Sequence, residues 1–464
     1  MAPKFGTSGL RGLADDLTPE LVGAYLRGFV AACPTGGAVW LGRDLRASSP
    51  RIAEAAARAL RDAGVAVRDA GILPTPALAM AARAAGEAAV MITGSHIPAD
   101  RNGLKFYRPD GEIDKADEAA ILEAVARSTD PVPGRSAGTS RPAGPDGQPG
   151  ADRRWADRAR RAWGPAALAG WRIGVWQQSS VARDLLPEIL ADLGAEPVPL
   201  DRSDAFVPVD TEAVDAATRA RLAGWVAGHR LDALVSTDGD ADRPLVVDER
   251  GAMVPGDVLG PLAARALGAR TLVAPVSANG LVDAMGGFEV VRTRIGSPHV
   301  IAGMAGRDAC IGYEPNGGLI LGFAAQGPAG PLPALPTRDS LVPIVAPLAA
   351  ARAAGLSLSA LVAALPARFT ASDRIAGIDP GRAAALLDAL RADPAARAAL
   401  AGGPEAALDL TDGLRMTRGD GRVVHLRPSS NAPEFRVYCE AEDPEEARAI
   451  VDGLLARLAS DLTG

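Results

Sequence analysis

Three neighbouring segments differ in hydrophobic pattern: GAVWLG at Gly37–Gly42, RIAEAAARALRDA at Arg51–Ala63, and EAAVMI at Glu87–Ile92. The first and third are short apolar runs, which are typical of buried β-strands. The second is rich in alanine and has the apolar spacing of an amphipathic helix. This order predicts an α/β unit, and the polar segment Gly94–Gly103 predicts a loop after it.

The same alternation recurs further along the chain. Trp171–Trp176 is predicted to be a strand, Val181–Leu193 a helix and Leu231–Ser236 a strand. A third cycle begins with a strand at Thr271–Pro275 and continues through Ser297–Ala305. Alternating strands and helices favour largely parallel sheets.

Two segments rich in proline and glycine interrupt the pattern. Ser128–Gly150 has no hydrophobic period and is predicted to be a linker or long loop at the end of a domain. Gln326–Pro336 is predicted to be a surface loop.

The pattern changes after about Pro366. Helical stretches at Gly381–Arg391 and Pro444–Ser460 bracket two short strands, near Val423–Leu426 and Phe435–Glu440. This arrangement predicts a smaller C-terminal α+β domain.

The chain has 464 residues, which suggests about three domains at roughly 150 residues each. The repeated cycles and the distinct terminal segment raise that number to four. We therefore predict an α/β protein with three similar mixed α/β domains and a smaller C-terminal α+β domain. The predicted domains are residues 1–150, 151–255, 256–365 and 366–464.

The composition excludes several classes of protein. Lys and Arg total 49 against 56 Asp and Glu, a net charge of −7, so a broad basic face for nucleic acid is not expected. Three widely separated cysteines support neither a disulfide framework nor a zinc site. Met1–Gly12 lacks the apolar core of a signal peptide, and no apolar run is long enough to cross a membrane. We expect a cytoplasmic protein.

The segment STDGDADRPLVVDE, at Ser236–Glu249, carries three alternating aspartates just after a predicted strand. On an extended backbone Asp238, Asp240 and Asp242 would point to one side. Three converging carboxylates are stable around a cation, and ligation by oxygen alone suits Mg²⁺ or Ca²⁺.

An EF-hand loop is the competing interpretation of this segment, because Glu249 stands at the twelfth position counted from Asp238. The sixth position is Arg243, where the sharp turn of an EF-hand needs glycine. The flanking segments also have the pattern of strands instead of helices, so the EF-hand interpretation is rejected.

Ser95 lies in TGSHIPADRNGLKFY, at Thr93–Tyr107, directly after a buried strand. Loops at this place in α/β proteins commonly bind ligands, so Ser95 is a candidate nucleophile. A hydrolase elbow needs GxSxG, but Thr93 and Ile97 occupy the glycine positions. A phosphorylated Ser95 would instead supply oxygen ligands to the metal that the aspartates hold.

Three further segments carry candidate binding residues. LRPSSNAPEFR is a turn whose arginines, hydroxyls and backbone N–H groups could hold a phosphate. GYEPNGG offers side chains that could hydrogen-bond sugar hydroxyls, and FGTSGLRG places an arginine in a glycine-rich context. The candidates are Arg427, Ser429, Ser430, Asn431 and Arg436 in the first segment, Glu314 and Asn316 in the second, and Arg11 in the third.

Together and in this order, the five motifs resemble the α-D-phosphohexomutase family, most closely its phosphomannomutase and phosphoglucomutase branch. The resemblance covers nearly the whole chain and implies four domains around a central cleft, each contributing one loop. It implies that the enzyme interconverts hexose 6-phosphate and hexose 1-phosphate, of mannose and possibly glucose. The partners are then a hexose phosphate and a hexose 1,6-bisphosphate intermediate, with monomer and dimer both open.

The resemblance also implies a role for each candidate residue. Ser95 matches the phosphoserine, and Asp238, Asp240 and Asp242 match the Mg²⁺ ligands, with the Ser95 phosphate completing the site. Arg243 matches a residue that helps to hold the phosphoryl group. Arg11 and Lys105 match residues near the reacting centre, with Lys105 as a candidate proton carrier. The residues matched to substrate binding are Glu314 and Asn316, at the sugar hydroxyls, and Arg427, Ser429, Ser430, Asn431 and Arg436, at the non-reacting phosphate.

Some positions depart from the family pattern. Gly318 and Ser297 each stand where many members have histidine, and Asn316 stands where many have serine. The run Ser430–Ala432 stands where Gly-Thr-Glu is frequent. These departures leave the preferred sugar and the second proton carrier open. A metal-dependent sugar phosphatase, a phosphoglucosamine mutase and a non-catalytic sugar-phosphate sensor are the alternatives.

Overall fold

The computed structural model describes residues 3–6, 9–127, 150–429 and 433–463. The chain forms two compact units, one of Met1–Ala269 with Asp308–Ala360 and one of Arg270–Arg307 with Leu361–Gly464. The predicted linker Ser128–Gly150 lies outside the described residues except for Gly150, and the four predicted domain limits stay predictions.

The first unit begins with a sheet whose strands lie in the order β1-β2-β6-β5-β3-β4, with β7 paired to β6. Its helices pack on both faces. The strands are β1 (Lys4–Gly6), β2 (Gly9–Leu13), β3 (Ala38–Arg43), β4 (Ala66–Ile72), β5 (Ala88–Ile92), β6 (Arg101–Arg108) and β7 (Gly111–Glu112), and the helices are α1 (Pro19–Ala32), α2 (Ser49–Asp62), α3 (Thr75–Ala85) and α4 (Lys115–Arg127).

The sequence of this sheet explains its burial. Every residue of β5 is buried, as its continuous apolar run predicts. In α2, Ile52, Ala56 and Leu60 are fully buried and stand four residues apart, so one face of the helix covers the sheet. Helix α1 begins after Thr18, whose hydroxyl accepts a hydrogen bond from the Leu21 N–H at 3.3 Å.

A second sheet of the first unit has the order β12-β11-β10-β8-β9. Strand β10 runs parallel to β8 and antiparallel to β11. The strands are β8 (Arg172–Gln178), β9 (Glu196–Arg202), β10 (Ala233–Thr237), β11 (Pro244–Asp248) and β12 (Met253–Val254), and the helices are α5 (Ala151–Trp163), α6 (Leu185–Asp192), α7 (Ala216–His229) and α8 (Gly256–Ala266).

The remainder of the first unit centres on an antiparallel set in which β16 pairs with β15 and β19. A short ribbon, β17 with β18, overlaps the segment Gln326–Pro336 predicted to be a surface loop. These strands are β15 (Cys310–Tyr313), β16 (Leu319–Leu321), β17 (Ala325–Gln326), β18 (Pro331–Leu332) and β19 (Leu335–Asp339), followed by α11 (Leu341–Ala353) and α12 (Leu358–Ala363).

The second unit contains a parallel pair of strands and an antiparallel sheet of order β20-β24-β23-β22-β21. The pair is β13 (Thr271–Pro275) and β14 (Glu289–Thr293), with α9 (Leu281–Met285) and α10 (Ser297–Met304). The sheet is β20 (Phe369–Ala376), β21 (Glu405–Asp409), β22 (Leu414–Arg418), β23 (Val423–Pro428) and β24 (Glu434–Ala441), with α13 (Pro380–Ala392), α14 (Pro394–Ala401) and α15 (Pro444–Thr463).

Some sequence predictions need correction. The sheets are mixed instead of largely parallel, since β6, β11 and the β15–β16–β19 set pair antiparallel. The helix predicted from Val181 begins only at Leu185, because turns occupy the preceding residues. The C-terminal domain has more strands than the two predicted. Strand β20 was missed because most of its side chains are exposed, which removes the hydrophobic alternation.

Among the described residues, no helix combines the length and the apolar character needed to cross a bilayer.

The topology places two important loops at one edge. Strands β3 and β5 are parallel neighbours, so the residues that follow them, Asp44 and Thr93, emerge at the same edge of the sheet. In α/β sheets this carboxyl edge is where ligands bind. The loop that contains Ser95 therefore starts beside the loop that contains Asp44.

Two glycines with the same backbone conformation test how tightly this unit packs. Gly36 and Gly86 have φ of +65° and +67°, but a Cβ on Gly36 would lie 1.9 Å from the Gly86 carbonyl oxygen, whereas a Cβ on Gly86 meets nothing within 4 Å. We expect Gly86→Ala to cost about 1 kcal/mol from left-handed strain. Gly36→Ala should cost about 3 kcal/mol in total, because the backbone must also move. Thermal unfolding of the two variants measures the difference, and equal losses of Tm would contradict this packing.

Candidate functional site

Ser95 lies in a tight loop after β5. It is 3% exposed, and its φ of +52° is in the left-handed region, which is uncommon for a residue with a side chain. Its backbone N–H donates to the Thr93 hydroxyl at 2.7 Å. The conformation turns the serine hydroxyl away from the sheet and toward the second sheet of the same unit, where its Oγ donates to Asp238 Oδ2 at 2.5 Å.

Arg46 stabilises this loop through hydrogen bonds to its backbone. Its guanidinium donates to the carbonyl oxygens of Ser95 and Ile97, at 2.8 and 2.6 Å. It also donates to the carbonyls of Pro98 and Arg101, at 2.6 and 2.9 Å. One buried cation therefore donates to four backbone carbonyls of the loop.

Asp44 balances the charge of Arg46. Its carboxylate accepts from Arg46 Nε at 3.1 Å, and from the hydroxyls of Ser49 and Thr93 at 2.5 and 2.8 Å. Both charged side chains are fully buried. A buried pair of this kind is stable because hydrogen bonds satisfy its remaining polar atoms.

The three aspartates converge, but not through the extended backbone that we predicted. The chain turns sharply between β10 and β11: the Asp238 N–H donates to the Arg243 carbonyl at 3.1 Å, and Ala241 has a φ of +59°. Within this turn, Asp238, Asp240 and Asp242 are fully buried, and one carboxylate oxygen of each lies within 4.8 Å of the other two. A turn, and not strand alternation, brings them together.

Positive side chains from distant segments contact the triad. Lys105 Nζ, on β6, donates to Asp240 Oδ2 at 2.5 Å and to Asp242 Oδ2 at 2.6 Å. Arg338, on β19, lies with its Nη2 at 2.8 Å from the same Asp242 Oδ2. The Thr75 hydroxyl donates to Asp240 Oδ2 at 2.5 Å.

In Asp240 and Asp242 the protein therefore uses one carboxylate oxygen and leaves the other for a ligand, whereas both oxygens of Asp238 accept hydrogen bonds. Asp240 Oδ1 and Asp242 Oδ1 are buried with no hydrogen-bond partner among the described residues. Unpaired buried carboxylate oxygens are costly unless a cation binds them. The all-oxygen donor set fits a hard divalent cation.

The electrostatics of Asp238 support the same interpretation. Burial raises the pKa of the Asp238 carboxyl well above its usual range, and the charges of Asp240 and Asp242 raise it further. Burial also raises the pKa of Asp240, but the adjacent Lys105 ammonium and the hydrogen bonds to Asp240 together lower it by more, so that the net pKa lies below the usual value. A divalent cation would supply the positive charge that Asp238 lacks.

Two other predicted residues lie near this centre. Arg243 Nε is 3.8 Å from Asp242 Oδ1. Burial lowers the pKa of the Arg11 guanidinium to about 10, so it stays charged at neutral pH, and the negative charge of Asp240 partly offsets this lowering. His96 lies with Nδ1 at 3.4 Å from Ser95 Oγ, and burial together with Arg243 lowers the pKa of its ring, which is neutral.

The segment with Glu314 and Asn316 is tied to the aspartate loop through Arg338. Arg338 Nη1 donates to Glu314 Oε2 at 3.2 Å while its Nη2 contacts Asp242. The Asn316 side-chain oxygen accepts from the Gly318 N–H at 3.0 Å. A Cβ at Gly318 would lie 2.8 Å from Arg338 Cδ, so the arginine fills the space that a histidine would need.

The predicted phosphate-binding segment belongs to the second unit and is described on its own. Arg427 on β23 and Arg436 on β24 are register partners, so their side chains project from the same face of the sheet. Arg427 Nε lies 3.4 Å from Asp412 Oδ1, and the Ser429 N–H donates to the Glu434 carbonyl at 2.8 Å. Ser430 and Asn431 lie outside the described residues. Ser297 is buried at the start of α10.

Sequence reasoning missed Asp44, Arg46, Thr75 and Arg338. The sequence carried a local signal for Asp44 and Arg46, because two charged residues directly after a buried strand favour a loop that binds a ligand. Thr75 and Arg338 have no such signal, since they reach the aspartates only through the fold.

Family models match the chain along most of its length. All four carry the description phosphoglucomutase/phosphomannomutase. They match alpha/beta/alpha domain I at residues 2–131, domain II at 158–251, domain III at 255–369 and the C-terminal domain at 380–457.

Individual proteins are similar over the whole chain. A phosphomannomutase of Sinorhizobium fredii is 44% identical and covers 100% of both chains. A phosphomannomutase of Salmonella muenchen is 40% identical over 99% of this chain and 96% of its own. A phosphoglucomutase/phosphomannomutase family protein from Burkholderia thailandensis has a TM-score of 0.75 over 99% of each chain, and at 21% identity it supports the fold alone.

Removing the Arg46 guanidinium should loosen the loop that it holds. In Arg46→Gln we expect the amides of Ile97 and Arg101 to exchange hydrogen at least about 10-fold faster, because charged hydrogen bonds worth about 1.5–3 kcal/mol each are lost. Hydrogen-exchange mass spectrometry measures this. Arg51→Gln, on the adjacent helix, is the matched control and should leave the loop unchanged. Unaltered exchange of the loop in Arg46→Gln, or equal acceleration in β10, would contradict a local role.

Proposed function

This chain belongs to the phosphohexomutase family, and we propose that it interconverts mannose 6-phosphate and mannose 1-phosphate through a phosphorylated Ser95. The observation that carries the proposal is the hydrogen bond of 2.5 Å between Ser95 Oγ and Asp238 Oδ2 within the buried carboxylate triad. The preference for mannose is supported by the two full-length relatives named phosphomannomutases.

We propose Mg²⁺ as the cation at the triad. Asp238, Asp240 and Asp242 would hold it together with an oxygen of the Ser95 phosphate, and this all-oxygen set with a phosphate ligand is typical of Mg²⁺. When bound, Mg²⁺ neutralises charge on the phosphoryl oxygens. Because Lys105, Thr75 and Arg338 occupy the Oδ2 atoms, the Oδ1 atoms of Asp240 and Asp242 stay available for it.

The chain's own residues supply the rest of the mechanism. In the proposed reaction, phospho-Ser95 gives its phosphoryl group to the free hydroxyl of the hexose phosphate, and the resulting 1,6-bisphosphate reorients and returns its other phosphate to Ser95. Arg11 and Arg243 stabilise the negative charge of the transferring group. Lys105 is the proposed proton carrier, held in position by Asp240 and Asp242.

Sugar and phosphate recognition are assigned to the other predicted residues. Glu314, oriented by Arg338, and Asn316 are proposed to contact the sugar hydroxyls. The non-reacting phosphate is proposed to bind in the C-terminal segment. Its residues are Arg427, Ser429, Ser430, Asn431 and Arg436.

Magnesium should stabilise the protein through the triad. At a concentration of about 100 times its dissociation constant, Mg²⁺ is expected to add about 2.7 kcal/mol and to raise Tm. Asp240→Asn should lose this increment, because one ligand charge is removed. Asp204→Asn is the control: this side chain is 91% exposed and lies outside the triad, so it should keep the increment. Scanning calorimetry with and without MgCl₂ measures both, and a Tm shift that persists in Asp240→Asn would contradict the metal assignment.

The proposed function is tested by turnover and by mass. Wild-type protein with Mg²⁺ and a bisphosphate activator should convert mannose 1-phosphate to mannose 6-phosphate, and Ser95→Ala should lose at least about 1,000-fold in kcat because the phosphoryl carrier is gone. After incubation with the bisphosphate, intact-mass measurement should find about 80 Da added to the wild type and not to Ser95→Ala.

Controls separate this function from the alternatives. Ser203→Ala changes a half-buried serine that directly follows β9, and this variant should keep both activity and added mass. Comparison of kcat/KM for mannose, glucose and glucosamine phosphates identifies the preferred sugar. Stoichiometric release of free phosphate would favour a phosphatase, and full activity in Ser95→Ala would overturn the mechanism.

A further inference from the structure

A cavity of about 700 Å³ lies in the first unit, away from the carboxylate triad. It is bounded by α3, α5 and the segment that leads from β18 into β19. Its volume falls within the range of pockets that bind small molecules, about 300–1,000 Å³. Neither Ser95 nor any aspartate of the triad lines this cavity.

Arginines dominate the charge of this cavity. Helix α5 contributes Arg154, Arg158 and Arg161, which stand four and three residues apart and so share one face, and α3 contributes Arg83. Among the described residues, no carboxylate forms an ion pair with Arg83, Arg154 or Arg161. The two acidic residues of the wall are engaged elsewhere: Asp110 with Arg108 and Asp157 with Arg160. The net charge of the cavity is therefore positive, although that of the whole chain is −7.

Arg158 shows that the arginine wall is built into the fold. The residue is 7% exposed, and its Nε donates to the Pro333 carbonyl at 2.9 Å while Nη1 donates to Asp339 Oδ2 at 2.7 Å. Its Nη2 is buried with no hydrogen-bond partner in the part of the chain that the structure describes. A buried guanidinium that keeps one N–H group unsatisfied is costly, and an anion beside it would remove that cost.

The rest of the wall is apolar. Met80 and Ala84 of α3 line the cavity, together with Pro331, Pro333 and Leu335. Such a wall binds a carbon skeleton and not a bare inorganic ion. Guanidinium groups bind phosphate through paired hydrogen bonds.

We propose that this cavity binds a small organic phosphate, with its phosphate on Arg154, Arg158 and Arg161 and its apolar body against Met80 and Leu335. The site is separate from the one that the proposed reaction uses. It adjoins β19, whose Arg338 contacts Asp242 and whose Asp339 contacts Arg158, so an occupant touches the strand that supports the aspartate triad.

Phenyl phosphate is a suitable probe, because it combines a phosphate with a compact apolar body. Ligand-observed NMR titration of the full chain should give a dissociation constant at least 10-fold lower for phenyl phosphate than for inorganic phosphate. The double variant Arg154→Gln/Arg161→Gln should bind phenyl phosphate at least 10-fold more weakly than the wild type. Both side chains are exposed, so an unchanged Tm will verify that the variant folds.

The matched control is Arg153→Gln, which removes the same charge from the same helix but from a side chain that pairs with Glu188 outside the cavity. It should bind phenyl phosphate like the wild type. Equal binding by the double variant and the wild type would overturn the proposal, because the ligand would then lie elsewhere, as at the triad. Equal affinity for inorganic phosphate, or no binding in the millimolar range, would overturn it as well.

Discussion

Three carboxylates buried within a few ångströms of one another are stable only if positive charge lies beside them, and the first unit is organised around this constraint. Lys105 comes from β6 and Arg338 from β19, while the aspartates lie in the turn between β10 and β11. Segments far apart in sequence must therefore be in place before the triad is stable. The compensation is also incomplete, since two carboxylate oxygens keep no hydrogen-bond partner among the described residues.

A second buried charge pair supports the serine that faces the triad. Ser95 occupies left-handed backbone space, which costs about 1–2 kcal/mol for a residue with a Cβ. Arg46 offsets this cost through its hydrogen bonds to the loop carbonyls, and Asp44 neutralises Arg46. The hydroxyl is thus held at hydrogen-bond distance from Asp238 before any ligand arrives. Preorganisation of this kind lowers the cost of positioning during phosphoryl transfer.

Much of the site could be predicted because its reactive residues stand in short, recognisable segments of the sequence. Ser95 follows a buried strand, and Asp238, Asp240 and Asp242 stand in one short segment, so residue type and order were enough to identify these site residues. The family models confirm the family that these motifs resemble. Arg338 could not be found this way, because its role depends on a contact with a residue almost one hundred positions earlier. The path of the aspartate turn was also mispredicted, since alternation in sequence does not reveal the left-handed residue Ala241. Strand β20 was hidden by its exposed polar side chains.

Asp240 and Asp242 are each proposed to divide their oxygens, with Oδ2 on the protein's cations and Oδ1 on the metal. A crystal structure with Mn²⁺ in place of Mg²⁺, located by its anomalous signal, tests this arrangement directly. The ion is expected within about 2.2 Å of Asp240 Oδ1, Asp242 Oδ1 and an oxygen of Asp238, with Lys105 still hydrogen-bonded to both Oδ2 atoms. An ion that displaces Lys105 from the aspartates, or that binds outside the triad, would contradict it.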